Sequence, residues 1–365
     1  MNRREILIGG GAGVVALGAG AGVIVVRQMG SSSSYDEGTK AAHRLLAAHP
    51  DAHELVRYAT LAPSGHNTQP WRFGVEPGTI TIRPDFSRRT PVVDPDDHHL
   101  FVSLGCAAEN LVLAAAARGL HGEALFDDAG DGAIRFRYEP GPSVPSPLFD
   151  AIPQRQSTRA DYDGRAVSPA ELTTLAAAAR VPGVDLVLVT ERPKIDRIRD
   201  LVLTGNSAQM DDPAFMRELK SWLRFNPRQA LGTGDGLYSA TTGNPVVPAW
   251  IGRPALDLFL TTKSENEKYA GQLRTSAGLA IFAGNTADRA HWVAVGRACQ
   301  RFALQATALG LKHAFINQPV EVAALRPDLA TLIGLPGRRP DLVMRFGYGS
   351  PLPYSPRRPV SAVMA

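Results

Sequence analysis

"LGCAAENLVLAAAARGL" (Leu104 to Leu120) and "VGRACQRFALQATALGL" (Val295 to Leu311) read as one helix written twice. Gly105 aligns with Gly296 and Gly119 with Gly310, at a constant offset of 191 residues. Ala107/Ala298, Leu113/Leu304, Ala115/Ala306, Ala117/Ala308 and Leu120/Leu311 keep it. Each copy is Ala-rich and ends at a glycine, the usual residue just past a helix C-terminus. Each runs into a strand-like segment, "GEALF" (122–126) or "KHAFI" (312–316). Small side chains along a whole helix predict close packing against another helix.

Working outward, "ELVRYATLA" (54–62) matches "ELTTLAAAA" (171–179) at an offset of 117, so the second half carries 74 extra residues. They fall between Arg180 and Leu279 and include "SWLRFNPRQALGTGDGLYSATTGNPVVPAWIGRPALDLF" (221–259). A long insertion rich in Gly, Pro and Trp with little periodicity predicts a lid or arm. The expectation is an α+β chain of two related halves. Residues 1–34 are expected to form a leader that ends in a Ser-rich linker, 35–150 a first half and 151–365 a second half with an insertion at about 190–278.

The 365 residues suffice for two domains at about 150 residues each. A 44% apolar and 20% charged composition is that of a folded protein. The net charge of +4 comes without any Lys/Arg run, which argues against a nucleic-acid partner. Cys106 and Cys299 lie in apolar helical stretches and read as two buried free thiols. No CxxC or HExxH spacing occurs, so no metal is expected. "DPDDHH" (94–99) reads as an acidic helix N-terminus rather than a ligand set.

The leader has Arg3 and Arg4 ahead of 21 uncharged residues, 6–26. Gly9, Gly11 and Gly13 imitate a dinucleotide fingerprint, but residues 14–26 have no polar face and a serine run follows. The alternative is a twin-arginine-type export signal, removed or kept as a membrane anchor, since the span reaches the ~20 residues that cross a bilayer. Residues 35–365 are then expected outside the cytoplasm, exported, and either periplasmic or membrane-anchored.

The halves differ where chemistry would sit. After its helix the first half has "PSGHNTQPW" (63–71), crowded with hydrogen-bonding side chains; the second has "RVPGVD" (180–185). The second half begins with "RQSTRADY" (155–162), which nothing in the first matches. In an extended segment Arg155, Ser157 and Arg159 share one face, a clamp for phosphate or carboxylate. A solvated basic turn is the bland alternative. Arg357 and Arg358 in "SPRRP" (355–359) are held extended by prolines. The neutral groups of the 63–69 loop suit the edge of a heterocycle; a capped turn accounts for about half of them. Trp71 reads as core. "GDGLY" (234–238), Trp222 and Trp250 read equally as a lid or a surface loop.

Together, "APSGHNTQPWRF", "RQSTRADY" and "GRRPDLVMRFGYG…PRRP" resemble the nitroreductase-like flavoprotein superfamily, and in particular its Acg-like branch. The resemblance spans roughly residues 40–360. It implies a pseudo-dimer in one chain, standing alone as a monomer and building a single FMN site. Arg155, Ser157 and Arg159, helped by Arg357 or Arg358, would hold the phosphate. Pro63, Ser64, Gly65, Asn67 and Gln69 would line the flavin ring, with Asn317 and Gln318 of "INQP" near the reactive nitrogen. No side chain need act as acid or base. The implied activity is ping-pong electron transfer from NAD(P)H or a quinol to a nitroaromatic or quinone. The alternative is a protein of the cell envelope that binds or sequesters FMN without turnover.

Overall fold

The computed structural model describes residues 29–252 and 260–365; most of the leader expected at residues 1–34 lies outside the described residues. The serine run read as linker is the start of helix α1 (Ser32–Ala42). Ser31 caps it through a hydrogen bond from the Ser34 backbone N–H, and Tyr35 anchors it, its hydroxyl donating to the Tyr354 carbonyl at 2.6 Å. A run of good N-cap residues begins helices as readily as it makes linkers.

After α2 (Ala52–Thr60) come β1 (Trp71–Glu76), β2 (Thr79–Pro84), the long α3 (His98–Ala116), β3 (Leu120–Asp127) and β4 (Ala133–Pro140). These strands form an antiparallel sheet in the order β1-β2-β4-β3. Ile134 and Phe136 point to the core while Arg135 and Arg137 face solvent, the alternation of a sheet covered on one side.

After α4 (Pro147–Ala151), the second half repeats the plan: α5 (Pro169–Ala178) and β5 (Val184–Val189) lead into an inserted stretch. That stretch holds α6 (Arg192–Met210), α7 (Pro213–Trp222), β6 (Leu223–Arg224), α8 (Pro227–Thr233), β7 (Leu237–Tyr238) and α9 (Thr262–Thr275). Then come β8 (Gly278–Gly284), long α10 (Arg289–Ala308), β9 (Lys312–Phe315), α11 (Gln318–Glu321), α12 (Arg326–Leu332) and β10 (Leu342–Gly347). The sheet order is β5-β8-β10-β9, again antiparallel. Each sheet therefore places its first, second, fourth and third strands in that sequence. β8 and β10 are buried at every residue, because Ile195, Ile198 and Val202 of α6 and Leu273 of α9 cover the face that the first sheet leaves open. The insertion is thus largely helical and packs as part of the core.

The repeated helices meet. A Cβ on Gly105 would stand 2.1 Å from the Val293 carbonyl oxygen, and one on Gly296 2.0 Å from that of Val102. Only hydrogen at both positions lets the two backbones come this close. Asn110 Oδ1 accepts from Gln300 Nε2 at 2.7 Å across the crossing, and Glu109 bridges Arg297 and Arg301, each at 2.8 Å. Cys106 and Cys299 are free and buried beside it, and burial pushes the Cys299 thiol well up.

Candidate functional site

Two adjoining cavities open between the halves. The smaller, about 40 Å³, is lined by Arg155, Ser157, Arg159, Asn67 and Arg357 with His43, Ser355 and Tyr354. The larger, about 200 Å³, is lined by Pro63, Ser64, Gly65, His66, Arg159, Asn317 and Gln318, and by residues of the insertion. Pro63, Ser64, Arg159, Leu237 and Phe315 border both.

The small cavity is electrostatically incomplete. The extended chain after Gln154 pairs Ser157 with His313 by an isolated parallel bridge, and Thr158 turns inward, so Arg155, Ser157 and Arg159 reach one side. Arg155 is only 3% exposed; its Nη2 donates to the Leu61 carbonyl at 2.8 Å, while Nε and Nη1 have no hydrogen-bond partner. Arg357 is spent on neutral acceptors: Nε donates to the Thr60 carbonyl, Nη1 to Asn67 Oδ1 and Nη2 to the Leu61 carbonyl. Among the described residues, no Asp or Glu lines this cavity. Burial pulls Arg155 down to about 10, and burial together with Arg155 pulls Arg357 to about 9, so both stay cationic at neutral pH. The imidazoles shift in the same direction and, starting lower, become neutral. Burial and then Arg357 lower His43 to about 4; burial and then Arg155 lower His313 to about 3. A buried charge without a counter-charge is costly, so a cluster of this kind fits an anionic ligand.

The loop after α2 carries strain. His66, Asn67 and Gln69 have φ of 45°, 55° and 54°, three non-glycine residues in the left-handed region within four positions. Side-chain bonds hold them there. Ser64 Oγ accepts from the Gln69 backbone N–H at 3.0 Å. Asn67 Nδ2 donates to the carbonyls of Gly236 and Pro356, each at 3.1 Å. Gln69 Nε2 donates to the Gly234 carbonyl at 2.8 Å and its Oε1 accepts from the Arg358 N–H at 2.9 Å.

Several expected residues sit elsewhere than expected. Asn67 borders the small cavity, not the large one, and Gln69 borders neither, because its amide is consumed in tying the insertion and the C-terminal segment to the loop. Arg358 also borders neither; it donates to the carbonyls of Gln69 and Ala362. Of the two terminal arginines, Arg357 is the one at the cavity. Asn317 lines the large cavity while its Oδ1 accepts from the Val343 N–H at 2.9 Å. Gln318 lines it with a buried Oε1 that has no partner. Trp222 and Trp250 border neither cavity, but Leu237 of the "GDGLY" stretch borders both.

The sequence reading missed His66. Its buried Nδ1 lacks a partner, and burial, then Arg159 and His99, lower it to about 4. It also missed Glu321, which accepts from Gln209 Nε2 at 2.7 Å and is raised by burial. Asn206, Glu265 and Tyr269 of the insertion share the large cavity's wall with these residues. The inserted helices had no counterpart in the first half to align with, so no signal placed them there.

The "DPDDHH" stretch brings Asp94, His98 and His99 within 4.8 Å of one another. Both Asp94 oxygens are occupied by the backbone N–H groups of His99 and Leu100, the capping role expected for this run.

The chain can now be compared with known proteins. A model of the nitroreductase family matches residues 152–349, which takes in Arg155, Ser157, Arg159, Asn317 and Gln318. The chain is 30% identical over 333 residues to Rv3131 of Mycobacterium tuberculosis, a protein provisionally named an NAD(P)H nitroreductase; the match covers 86% of this chain and 92% of that one. The M. tuberculosis protein acg, with the same provisional name, is 25% identical over 329 residues, covering 84% and 93%. A solved structure from Anabaena variabilis, provisionally a nitroreductase, has a TM-score of 0.48 at 11% identity, covering 86% of this chain and 91% of that one.

Proposed function

The chain belongs to the nitroreductase family, and on that premise we propose that it is an FMN-dependent oxidoreductase with one flavin site built between its halves. The observation that carries this reading is the acid-free cavity of buried guanidiniums opening into a larger, mixed cavity. Arg155, Arg159 and Arg357 with Ser157 would hold the phosphate. Pro63, Ser64, Gly65, His66, Asn317 and Gln318 would surround the ring. The unpartnered Nδ1 of His66 and Oε1 of Gln318 suit a heterocycle that presents both donors and acceptors.

Bound FMN would supply two-electron redox chemistry between an NAD(P)H or quinol donor and a nitroaromatic or quinone acceptor. The chain's own part is binding, orientation and exclusion of water, with Phe215 and Leu219 closing one wall of the larger cavity. The two like-ordered sheets and the paired glycines support reading the halves as a pseudo-dimer within one chain. The Arg3–Arg4 pair ahead of residues 6–26 supports export and a membrane anchor or periplasmic location.

The test is an anaerobic visible spectrum of the chain purified with FMN and freed of excess flavin. Flavin that bleaches with NADPH and recovers with a quinone or nitroaromatic supports turnover. Flavin bleached only by dithionite supports binding without NADPH turnover. No flavin absorption overturns the reading.

A further inference from the structure

The insertion carries a second concavity, an open groove of about 980 Å³ that shares no lining residue with the two cavities. Arg217, Lys220, Arg224 and Arg228 line it, and among the described residues no acidic one does. Arg224 pairs with Asp235 at 2.7 Å; Arg217 and Arg228 are solvent-exposed. Trp250, at the groove's edge, is 63% exposed. Ile251 and Leu231, large apolar side chains that are also exposed, follow Trp250 and precede the lining Gly232 in the chain. Cations interleaved with exposed tryptophan and aliphatic groups match the polar-apolar boundary of a bilayer.

The chain enters the described structure beside this groove. A Cβ on Gly30 would lie 3.0 Å from the Arg228 backbone nitrogen, and one on Gly38 2.7 Å from Leu231 Cδ2, so α1 is seated on α8 at the groove's rim. The uncharged residues 6–26 end five residues before α1 in sequence, across Arg27 to Ser31. We propose that this face of the insertion rests on an anionic lipid surface, its cations against the headgroups and Trp250 at the interface. The proposal rests on the reading of residues 6–26 as a membrane anchor, which would hold the groove at the bilayer. Helix α7 then lies between bilayer and catalytic cavity: Arg217 and Lys220 face the groove, Phe215 and Leu219 the cavity.

The full chain tests this with an environment-sensitive fluorophore on Gly232→Cys. A side chain at this groove position meets nothing within 4 Å, and the native cysteines are buried. Matched labels go on Asp131→Cys, an exposed site in the first half, and on Ala16→Cys in the apolar segment. Vesicles are phosphatidylcholine alone, or phosphatidylcholine and phosphatidylglycerol in equal parts. The expected result is a several-fold loss of iodide quenching at 232, but not at 131, on the phosphatidylglycerol vesicles only. High salt, or Arg217→Glu with Trp250→Ala, should reverse it. A label at 232 that stays as quenchable as that at 131 on both vesicles overturns the docking face, even with position 16 shielded. Quenching at 16 unchanged by lipid overturns the anchor reading instead; shielding at 232 would then still establish the face as a peripheral lipid contact, and its absence would refute it.

Discussion

Two partly buried arginine clusters in this molecule obey opposite electrostatic rules. In one, Asp235 sits between Arg88 and Arg224, and both guanidiniums lie over the Trp222 ring at 5.4 and 5.9 Å. In the other, Arg155, Arg159 and Arg357 surround a cavity with no carboxylate. The first cluster is finished by the chain itself and fastens the insertion to the first half. The second is not finished by the chain, and on the proposed reading a bound anion would finish it. The contrast separates a structural arginine from a binding one without reference to any relative: what matters is whether the protein supplies the counter-charge.

The largest effect should come from spoiling the finished cluster. Asp235→Asn leaves Arg88 and Arg224 buried without a counter-ion, and is expected to cost about 3–5 kcal/mol of stability, read by denaturant unfolding. A loss below ~1 kcal/mol would mean that the pairing is no more than a surface contact.

Acid should attack the clusters in sequence. His43 and His66 have folded pKa values near 4 against 6.5 for a free imidazole, so the unfolded chain binds more protons between those limits. Stability should therefore fall as pH drops from 6.5 to about 4, by about 1.4 kcal/mol per pH unit for each fully titrating imidazole. Asp235 behaves otherwise. Burial alone would raise it, but the bonds from Arg224 and Arg88 outweigh burial and hold it below 3.8. Its contribution is present above that value and is lost only as pH falls through the lower folded one. An anion held by Arg155 and Arg357 would favour protonated His43, so FMN should flatten the slope above pH 4. An identical slope with and without FMN would remove the electrostatic link between cavity and ligand.

Arg155→Ala should weaken FMN affinity by roughly 10- to 100-fold, the worth of one charge-assisted bond at ~1.5–3 kcal/mol, in a flavin fluorescence titration. Arg358→Ala, outside the cavity, should change affinity far less. Equal losses would put both arginines at the phosphate.

The smallest expected change is Asn67→Ala. It removes two donors to carbonyls and one acceptor from Arg357, and should lower the unfolding free energy by about 1–3 kcal/mol in denaturant titration while loosening the strained loop. Stability that is unchanged would mean that the φ of 55° at this position carries no strain needing support.

Much of this was legible in the chain. The small residues along the repeated helix announced close packing against another helix; that the partner is the other copy, met at Gly105 and Gly296 where a Cβ would clash with backbone, came from the structure. The period-two spacing of Arg155, Ser157 and Arg159 announced a common face, and the structure lines one cavity with all three. The insertion was harder. Its first helix does carry an amphipathic stripe, Ile195, Ile198 and Val202 at i, i+3 and i+7, but nothing local says that the stripe covers β8 and β10. His66 was obscured for a related reason: a lone histidine among turn residues looks like any other until the fold buries it and leaves Nδ1 without a partner.

By itself the sequence determined the repeated helix and which half carries the polar 63–69 loop and which the alternating arginines, since these rest on local spacing and on residues that sterics or charge make irreplaceable. Only the tertiary structure decided which polar groups face the cavities. Arg357 reaches the small cavity while Arg358 and Gln69 turn to backbone, and the distinction arises from segments 165 to 289 residues apart in sequence. Local propensity carries no information over such a separation; burial decides it, because each buried donor must find whichever acceptor the fold brings near.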